Sequence, residues 1–250
     1  MSEVTVDLTN YYVKNTDKIL EQFEKFSDKY LDSFLSLSNQ MDQKEEVSKK
    51  IINEIHNLIP EIPFIGEKNF FTPTLITSAF VIAIYRSLDK TTFTDEEFGQ
   101  VLFYLQETIL EKKSFFGKLS FKIVYNSRLG RFYQKRMARK SKQSQYENDI
   151  VFDYIPGDKK QNLLSGFNFF ICPINNFYNK QGMQNLMPYF CLTDYAVADF
   201  LNIGFKRSKT LSMGSDHCNH RYYKDVILPK GWHPENFEDY REWTKQSNNQ

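Results

Sequence analysis

The chain has 250 residues, 41% of them apolar and 16% aromatic, and carries a formal net charge of +1. That apolar share is ample for a core and excludes a mainly disordered chain, while the length suits one domain or two closely packed ones. The small net charge supplies no global field toward nucleic acid, and three cysteines in so long a chain exclude a disulfide scaffold.

Residues 8–38 place Tyr12, Ile19, Phe23, Phe26, Tyr30, Phe34 and Leu37 at helical spacing. A second helix is expected over 42–58, before Pro60 and Pro63 break the pattern. A third follows Pro73. Its apolar window, 75–85, is too short to span a bilayer and reads as a buried helix. A fourth opens at Thr94, a good N-cap followed by acidic residues, with lysines at its end. The N-terminus is polar and lacks the apolar stretch of a secretory signal, so a cytoplasmic protein is expected.

Residues 112–143 hold eleven Lys or Arg and no Asp or Glu, interleaved with Phe115, Phe116, Phe121, Tyr125, Phe132 and Tyr133. The plain reading is one or two helices with a packed apolar face and a solvated basic face. The bolder reading is a membrane-surface or nucleic-acid patch. Between them, some of these cations would line the mouth of a site for an anionic ligand.

After 145 the pattern changes. Residues 149–155 alternate and end at Pro156-Gly157, which predicts a strand and a turn. Residues 166–171 predict a second strand. Pro173 opens a short helix that ends near Gly182, and 192–204 predicts another helix. Residues 205–213 and 218–227 then read as strands joined by the turn at 214–217. The expected fold is α+β: a helical half packed on a small antiparallel sheet with order β-β-α-α-β-β along the chain. Residues 1–145 form the helical region, 146–228 the motif-bearing α+β region, and 229–250 a polar, surface-wrapping or partly disordered tail, all within one compact unit.

The chemistry-bearing residues cluster late. Cys172 stands at a strand end, Cys191 before a helix and Cys218 at the start of a strand. No pair has the C-x-x-C spacing of a zinc knuckle, although the three could converge in space with His220 on a metal such as zinc. If 218 onward is extended, Cys218 and His220 share a face, while Asn219 and Arg221 point the other way. Same-face Cys and His suit a thiolate–imidazolium nucleophile as well as they suit two metal ligands. His217 lies in the turn and is either solvated or part of the cluster. Asp194 falls near the predicted helix start, where it would cap the helix, orient a histidine or bind an ammonium. Arg207 and Lys209 share a strand face that could recognise a carboxylate. A glycine-rich phosphate loop, a G-x-S-x-G elbow and an H-E-x-x-H helix are all missing from the sequence.

These residues form a pattern. A strand ends in Cys172-Pro173, and a short helix ends at Gly182. Cys191 is followed three residues on by Asp194. Arg207 precedes Thr210-Leu211-Ser212-Met213-Gly214, and Cys218-Asn219-His220-Arg221 closes the run. Over about 165–224 this resembles the L-2-amino-thiazoline-4-carboxylic acid hydrolase family. Two positions depart from it: the family pattern has Asp where this chain has Asn219, and Phe where it has His220.

The resemblance implies hydrolysis of a small cyclic amidine or related C–N bond, with water adding at the carbon between ring nitrogen and sulfur. For that reaction Cys218 fits the nucleophile and His220 or Asp194 the acid, His220 being this chain's own feature and not inherited family chemistry, while Arg207 or Arg221, with Thr210 and Cys191, fit binding of a carboxylate-bearing small molecule. No cofactor is required, zinc on Cys172, Cys191, Cys218 and His220 being the open alternative. The competing reading is a non-catalytic metal- or ligand-binding sensor like the vinyl-reductase and heme-NO-binding modules, on fold-level analogy alone. No nucleic-acid partner is expected, and membrane contact through 112–143 is a minor alternative.

Overall fold

The helical spacing of the first hundred residues becomes α1 (Asn10–Lys14), α2 (Thr16–Leu37), α3 (Lys44–Leu58), α4 (Thr72–Ser87) and α5 (Asp95–Glu111). The structure, a computed structural model, describes residues 10–113, 119, 123, 127–143, 146–224, 226 and 228–247. On α2 the stripe Ile19, Phe23, Leu31, Phe34 and Leu35 turns inward. Helix α4 is buried from Leu75 to Ile84 except at the half-buried Thr77, as its strongly apolar sequence requires. Among the described residues, no helix is long and apolar enough to cross a membrane.

Thr94 starts α5 with a capping box. Its Oγ1 accepts from the Glu97 N–H at 3.2 Å, and Glu97 Oε2 accepts from the Thr94 N–H at 2.7 Å. Gly99, one turn on, is where this helix meets α8 (Met187–Leu201). A Cβ there would sit 2.7 Å from Tyr189 Cβ, so the close approach of the two helices requires glycine.

Much of the basic segment 112–143 lies outside the described residues. Its later part forms α6 (Arg128–Ser141), which buries Gly130, Gln134, Ala138 and Ser141. Ser141 Oγ ties the helix to the sheet, accepting from Phe152 N–H at 3.1 Å and donating to Phe152 C=O at 3.2 Å. Of the packed apolar face expected here, Ala138 and Met137 pack on the sheet-side cluster, Leu129, Phe132 and Tyr133 are exposed, and Phe115, Phe116, Phe121 and Tyr125 lie outside the described residues.

The sheet is four-stranded and antiparallel: β1 (Val151–Asp158), β2 (Leu163–Ile171), β3 (Gly204–Lys206) and β4 (Cys218–Tyr223), in spatial order β1-β2-β4-β3. Helices α7 (Pro173–Lys180) and α8 connect β2 to β3. The α+β class and the β-β-α-α-β-β order are therefore as the sequence predicts.

Several local features differ. β1 runs on through Pro156 and Gly157 to Asp158, past the turn expected there, and β4 ends at Tyr223 rather than 227. Helix α8 begins at Met187 rather than near 192, because Pro188 in its first turn suits a helix start. The strand expected over 205–213 stops at Lys206, and the chain then turns inward. The polar tail is not merely peripheral. Phe237 is 2% exposed, its ring stacks on Tyr195 at 3.7 Å, and α9 (Glu238–Ser247) follows it.

Two apolar clusters result. One joins α1–α5 to α7 and the start of α8. The other joins the sheet, the rest of α8 and the tail residues Phe237, Tyr240 and Trp243. The cavity described next takes its lining from both.

Candidate active site

β4 alternates as a half-buried strand should, with Cys218, His220 and Tyr222 inward and Asn219, Arg221 and Tyr223 outward. Opposite them, α8 presents Cys191 and Asp194, three residues apart and so on one face of the helix. Cys172 comes from the end of β2, and Arg207 from the residue after β3. All six inward residues, Cys172, Cys191, Asp194, Arg207, Cys218 and His220, line one cavity of about 520 Å³. Most of the remaining wall is apolar, including Phe71, Leu102, Leu105, Phe169 and Phe190.

Arg207 organises this site. Its side chain is 1% exposed. Nε donates to Asp239 Oδ2 at 2.7 Å, and Nη2 lies 2.6 Å from the same oxygen. Nη1 donates to Asp194 Oδ2 at 2.7 Å, and Nη2 donates to the Cys191 carbonyl at 3.0 Å. Burial works against the guanidinium charge, but the carboxylates of Asp239 and Asp194 more than reverse this and hold its pKa well above the ordinary value. Tyr195 donates to Asp239 Oδ1 at 2.8 Å, completing that carboxylate.

The second Nη1 contact fixes the state of His220. Arg207 can only donate, so at 3.3 Å His220 Nε2 is the acceptor and its proton sits on Nδ1. Burial, with Arg207 and then Arg221 nearby, pushes the imidazole pKa well below its usual value. His220 is therefore neutral at pH 7. Its ring lies edge-on to Phe169 and Phe205, at 4.9 and 5.1 Å.

The cysteines are equally uncharged. Burial raises Cys218 to about 11, against a lowering pull from Arg207 and from the Leu211 N–H that donates to its sulfur at 3.2 Å. Burial raises Cys172 and Cys191 to about 12. The resting thiolate–imidazolium pair expected of Cys218 and His220 is thus opposed on both sides: the thiol is too weak an acid and the imidazole too weak a base.

Asp194 is the carboxylate that lines the cavity. Its contacts with Arg207 and His220 run through Oδ2, at 2.7 and 3.9 Å. Its side chain is 42% exposed although the residue sits deep in the fold, and that exposure is toward the cavity it lines. Burial raises its pKa in spite of Arg207, and Asp239 adds to the rise. Asp194 falls mid-way along α8, so the helix-start capping role is overturned.

Other sequence-derived assignments change. Arg207 is fully used by protein partners and cannot serve as a free carboxylate clamp. Arg221 lies on the outer face of β4, donating to the carbonyls of Phe167 and His220 and to Asn168 Oδ1. Thr210 is buried away from the main cavity, 3.0 Å from Ser212 Oγ, beside a small void of about 10 Å³. His217 is turned toward Asp216 at 2.9 Å and Phe170, outside the cavity. Among the described residues no group of three or more His, Cys, Asp or Glu is placed to hold a metal ion, so Cys172, Cys191, Cys218 and His220 do not assemble as a ligand set. Asn219 is a loop clamp: its Oδ1 accepts from the Ser208 and Lys209 N–H groups at 2.9 and 2.8 Å, and its Nδ2 donates to Ser208 Oγ at 2.9 Å.

Asp239 is the residue the sequence reading missed. The signal was present as Phe237, Tyr240 and Trp243 at helical spacing around a carboxylate, in a tail too polar to suggest a buried role. The family model for L-2-amino-thiazoline-4-carboxylic acid hydrolase matches residues 74–222, which includes α5, most of α4, and Cys172, Cys191, Asp194, Arg207, Cys218 and His220; Asp239 and Phe71 lie outside it. No curated protein and no solved structure matches the chain.

Proposed function

The chain belongs to the L-2-amino-thiazoline-4-carboxylic acid hydrolase family, and from that premise we propose that it hydrolyses a cationic cyclic amidine bound through Asp194. The observation that carries this reading is the charge of the cluster. Arg207 contributes one positive charge, Asp194 and Asp239 one negative charge each, and His220 none. Around Arg207 the cavity wall is thus locally one charge negative, Lys113 being a cation elsewhere on the lining, and the oxygen that meets a ligand cation at this cluster is Asp194 Oδ1. A ring amidine or isothiourea is protonated at neutral pH and offers two N–H donors in the plane that a carboxylate accepts.

The same carboxylate serves the reaction. Its raised pKa makes it a better base than an ordinary aspartate. Asp194 takes a proton from water as the water oxygen bonds to the amidine carbon. The tetrahedral carbon then expels the ring sulfur, which leaves with the proton Asp194 holds, while the hydroxyl proton on the new carbonyl oxygen passes to solvent and takes with it the charge of the bound cation. Ring and water together become an N-carbamoyl amino acid bearing a free thiol, with no oxidant or reductant involved. Cys172, Cys191 and Cys218, as neutral thiols, form a soft wall suited to a sulfur-containing ring.

The cavity also speaks to substrate size. 2-Aminothiazoline-4-carboxylate has about nine non-hydrogen atoms, which at the roughly 30 Å³ of a liquid water each fill no more than about half of the space. A ring carrying an apolar substituent uses the wall of Phe71, Leu102, Leu105 and Phe190.

The test is a panel of cyclic amidines, with thiol release and product mass as the readout. Asp194→Asn lowers kcat/KM by roughly 10²–10⁴-fold, while Cys218→Ala stays within about tenfold of the parent. Absence of ring opening across the panel sinks the reading. Loss of turnover in a folded Cys218→Ala protein moves the chemistry onto the thiol.

A further inference from the structure

Helix α6 is built the wrong way round for a helix that only packs. Its buried stripe is Gly130, Gln134, Ala138 and Ser141, small or polar residues at steps of three and four. Met137 packs partly beside that stripe, but the other large apolar residues are outside, with Leu129 72% exposed, Phe132 62% and Tyr133 50%. At 100° per residue, the direction opposite that stripe falls among Leu129, Phe132, Arg136 and Arg139, with Lys140 and Tyr133 beside them. The helix carries Arg128, Arg131, Lys135, Arg136, Arg139 and Lys140 and no acidic residue. Leu119 and Ile123, earlier in the same basic segment, are also exposed, at 45% and 43%.

Burial of the helix does not account for this face, since Leu129, Phe132 and Tyr133 stay half or more exposed while the helix packs through its other side. Exposed apolar side chains set among cations of one sign are the composition of a helix lying in the plane of an anionic bilayer. There the apolar groups enter the headgroup boundary and the cations meet lipid phosphates and serines. We infer that α6 is a membrane-surface contact for anionic lipid. Nucleic acid would be served by the cations and the two aromatic rings, but gives no role to outward Leu129, Leu119 and Ile123. The inference does not depend on the reaction assigned to the cavity, because no residue of α6 lines it.

The experiment is co-sedimentation of the full chain with phosphatidylcholine vesicles, with and without phosphatidylserine, at low and raised salt. Binding is expected on the anionic vesicles only and weakens as salt shortens the Debye length. The double variant Leu129→Ser, Phe132→Ser is expected to bind roughly tenfold more weakly. Arg136→Glu with Arg139→Glu is expected to abolish binding at raised salt, with ring-opening activity and melting temperature unchanged in both. Absence of binding to phosphatidylserine vesicles at low salt overturns the inference. So does binding that ignores Leu129→Ser, Phe132→Ser while a single-stranded RNA probe binds the parent as tightly, which would make the patch a nucleic-acid contact.

Discussion

The Arg207 guanidinium and the Asp239 carboxylate meet at 2.6 Å with side chains 1% and 3% exposed. The pair joins the edge of the sheet to the last helix, across 32 residues of chain. Arg207 also holds Asp194 and the Nε2 of His220, so the distant carboxylate helps to set the geometry and charge of the cavity.

Removing one partner of such a pair leaves a buried charge half compensated. Asp239→Ala is expected to cost about 3–5 kcal/mol in denaturant unfolding. Asp239→Asn keeps the shape and costs less. It also removes a charge that raises the Asp194 pKa, so the acidic limb of the activity profile moves to lower pH. A stability loss under about 1 kcal/mol for Asp239→Ala would show that the pair is not structural.

His220 gives the protein an acid-sensitive term of definite sign. Its pKa is depressed in the folded state, so the unfolded chain takes up a proton first as pH falls below about 6.5. The stability of the neutral imidazole is intact above that point and is lost toward the folded value, at up to about 1.4 kcal/mol per pH unit. Phe in its place keeps the aromatic contacts and loses the Arg207 acceptor. His220→Phe should therefore be less stable by about 1 kcal/mol near neutrality, and the gap should close on acidification. A gap that does not change with pH would mean that His220 is not held neutral.

The fold class and the order of elements along the chain could be read in advance because they rest on local periodicity: alternation on β4, helical spacing on α2, and a capping box at Thr94. That Cys218 and His220 share a face was legible for the same reason, whereas the convergence of Cys172 and Cys191 with them was only one possibility. What the periodicity could not reach was pairing at long range. Arg207 looked like a substrate clamp because its two carboxylates lie 13 residues back and 32 residues ahead. Asp194 looked like a helix cap because the start of α8 was placed too late. Cys218 looked reactive because a same-face histidine says nothing of protonation. That depends on burial and on Arg207, which together leave both groups neutral.

Thiol chemistry follows from that neutrality. With Cys218 at about 11 and Cys172 and Cys191 at about 12, little thiolate is present near neutral pH. Alkylation of the native protein by iodoacetamide should be slower than that of a free thiol, and its rate should climb steadily as pH rises. Denaturation should release three ordinary thiols, since the cysteines are unpaired. Fast modification of Cys218 at pH 7, located by mass spectrometry, would restore it as an activated nucleophile.

Asn219, where the family pattern carries Asp, has an outward role that makes the exchange mild. Its Oδ1 accepts from the backbone N–H groups of Ser208 and Lys209, the two residues directly after Arg207. A carboxylate accepts the same two bonds and gives up only the donation to Ser208 Oγ. Asn219→Asp is therefore expected to change stability by about 1 kcal/mol or less and turnover by no more than about threefold. Asn219→Ala strands two backbone donors, at a cost of about 1–3 kcal/mol. The loop it frees carries Arg207, so turnover falls along with the melting temperature. Should Asn219→Asp instead change turnover by orders of magnitude with the melting temperature unmoved, the position would belong to the chemistry and not to the loop.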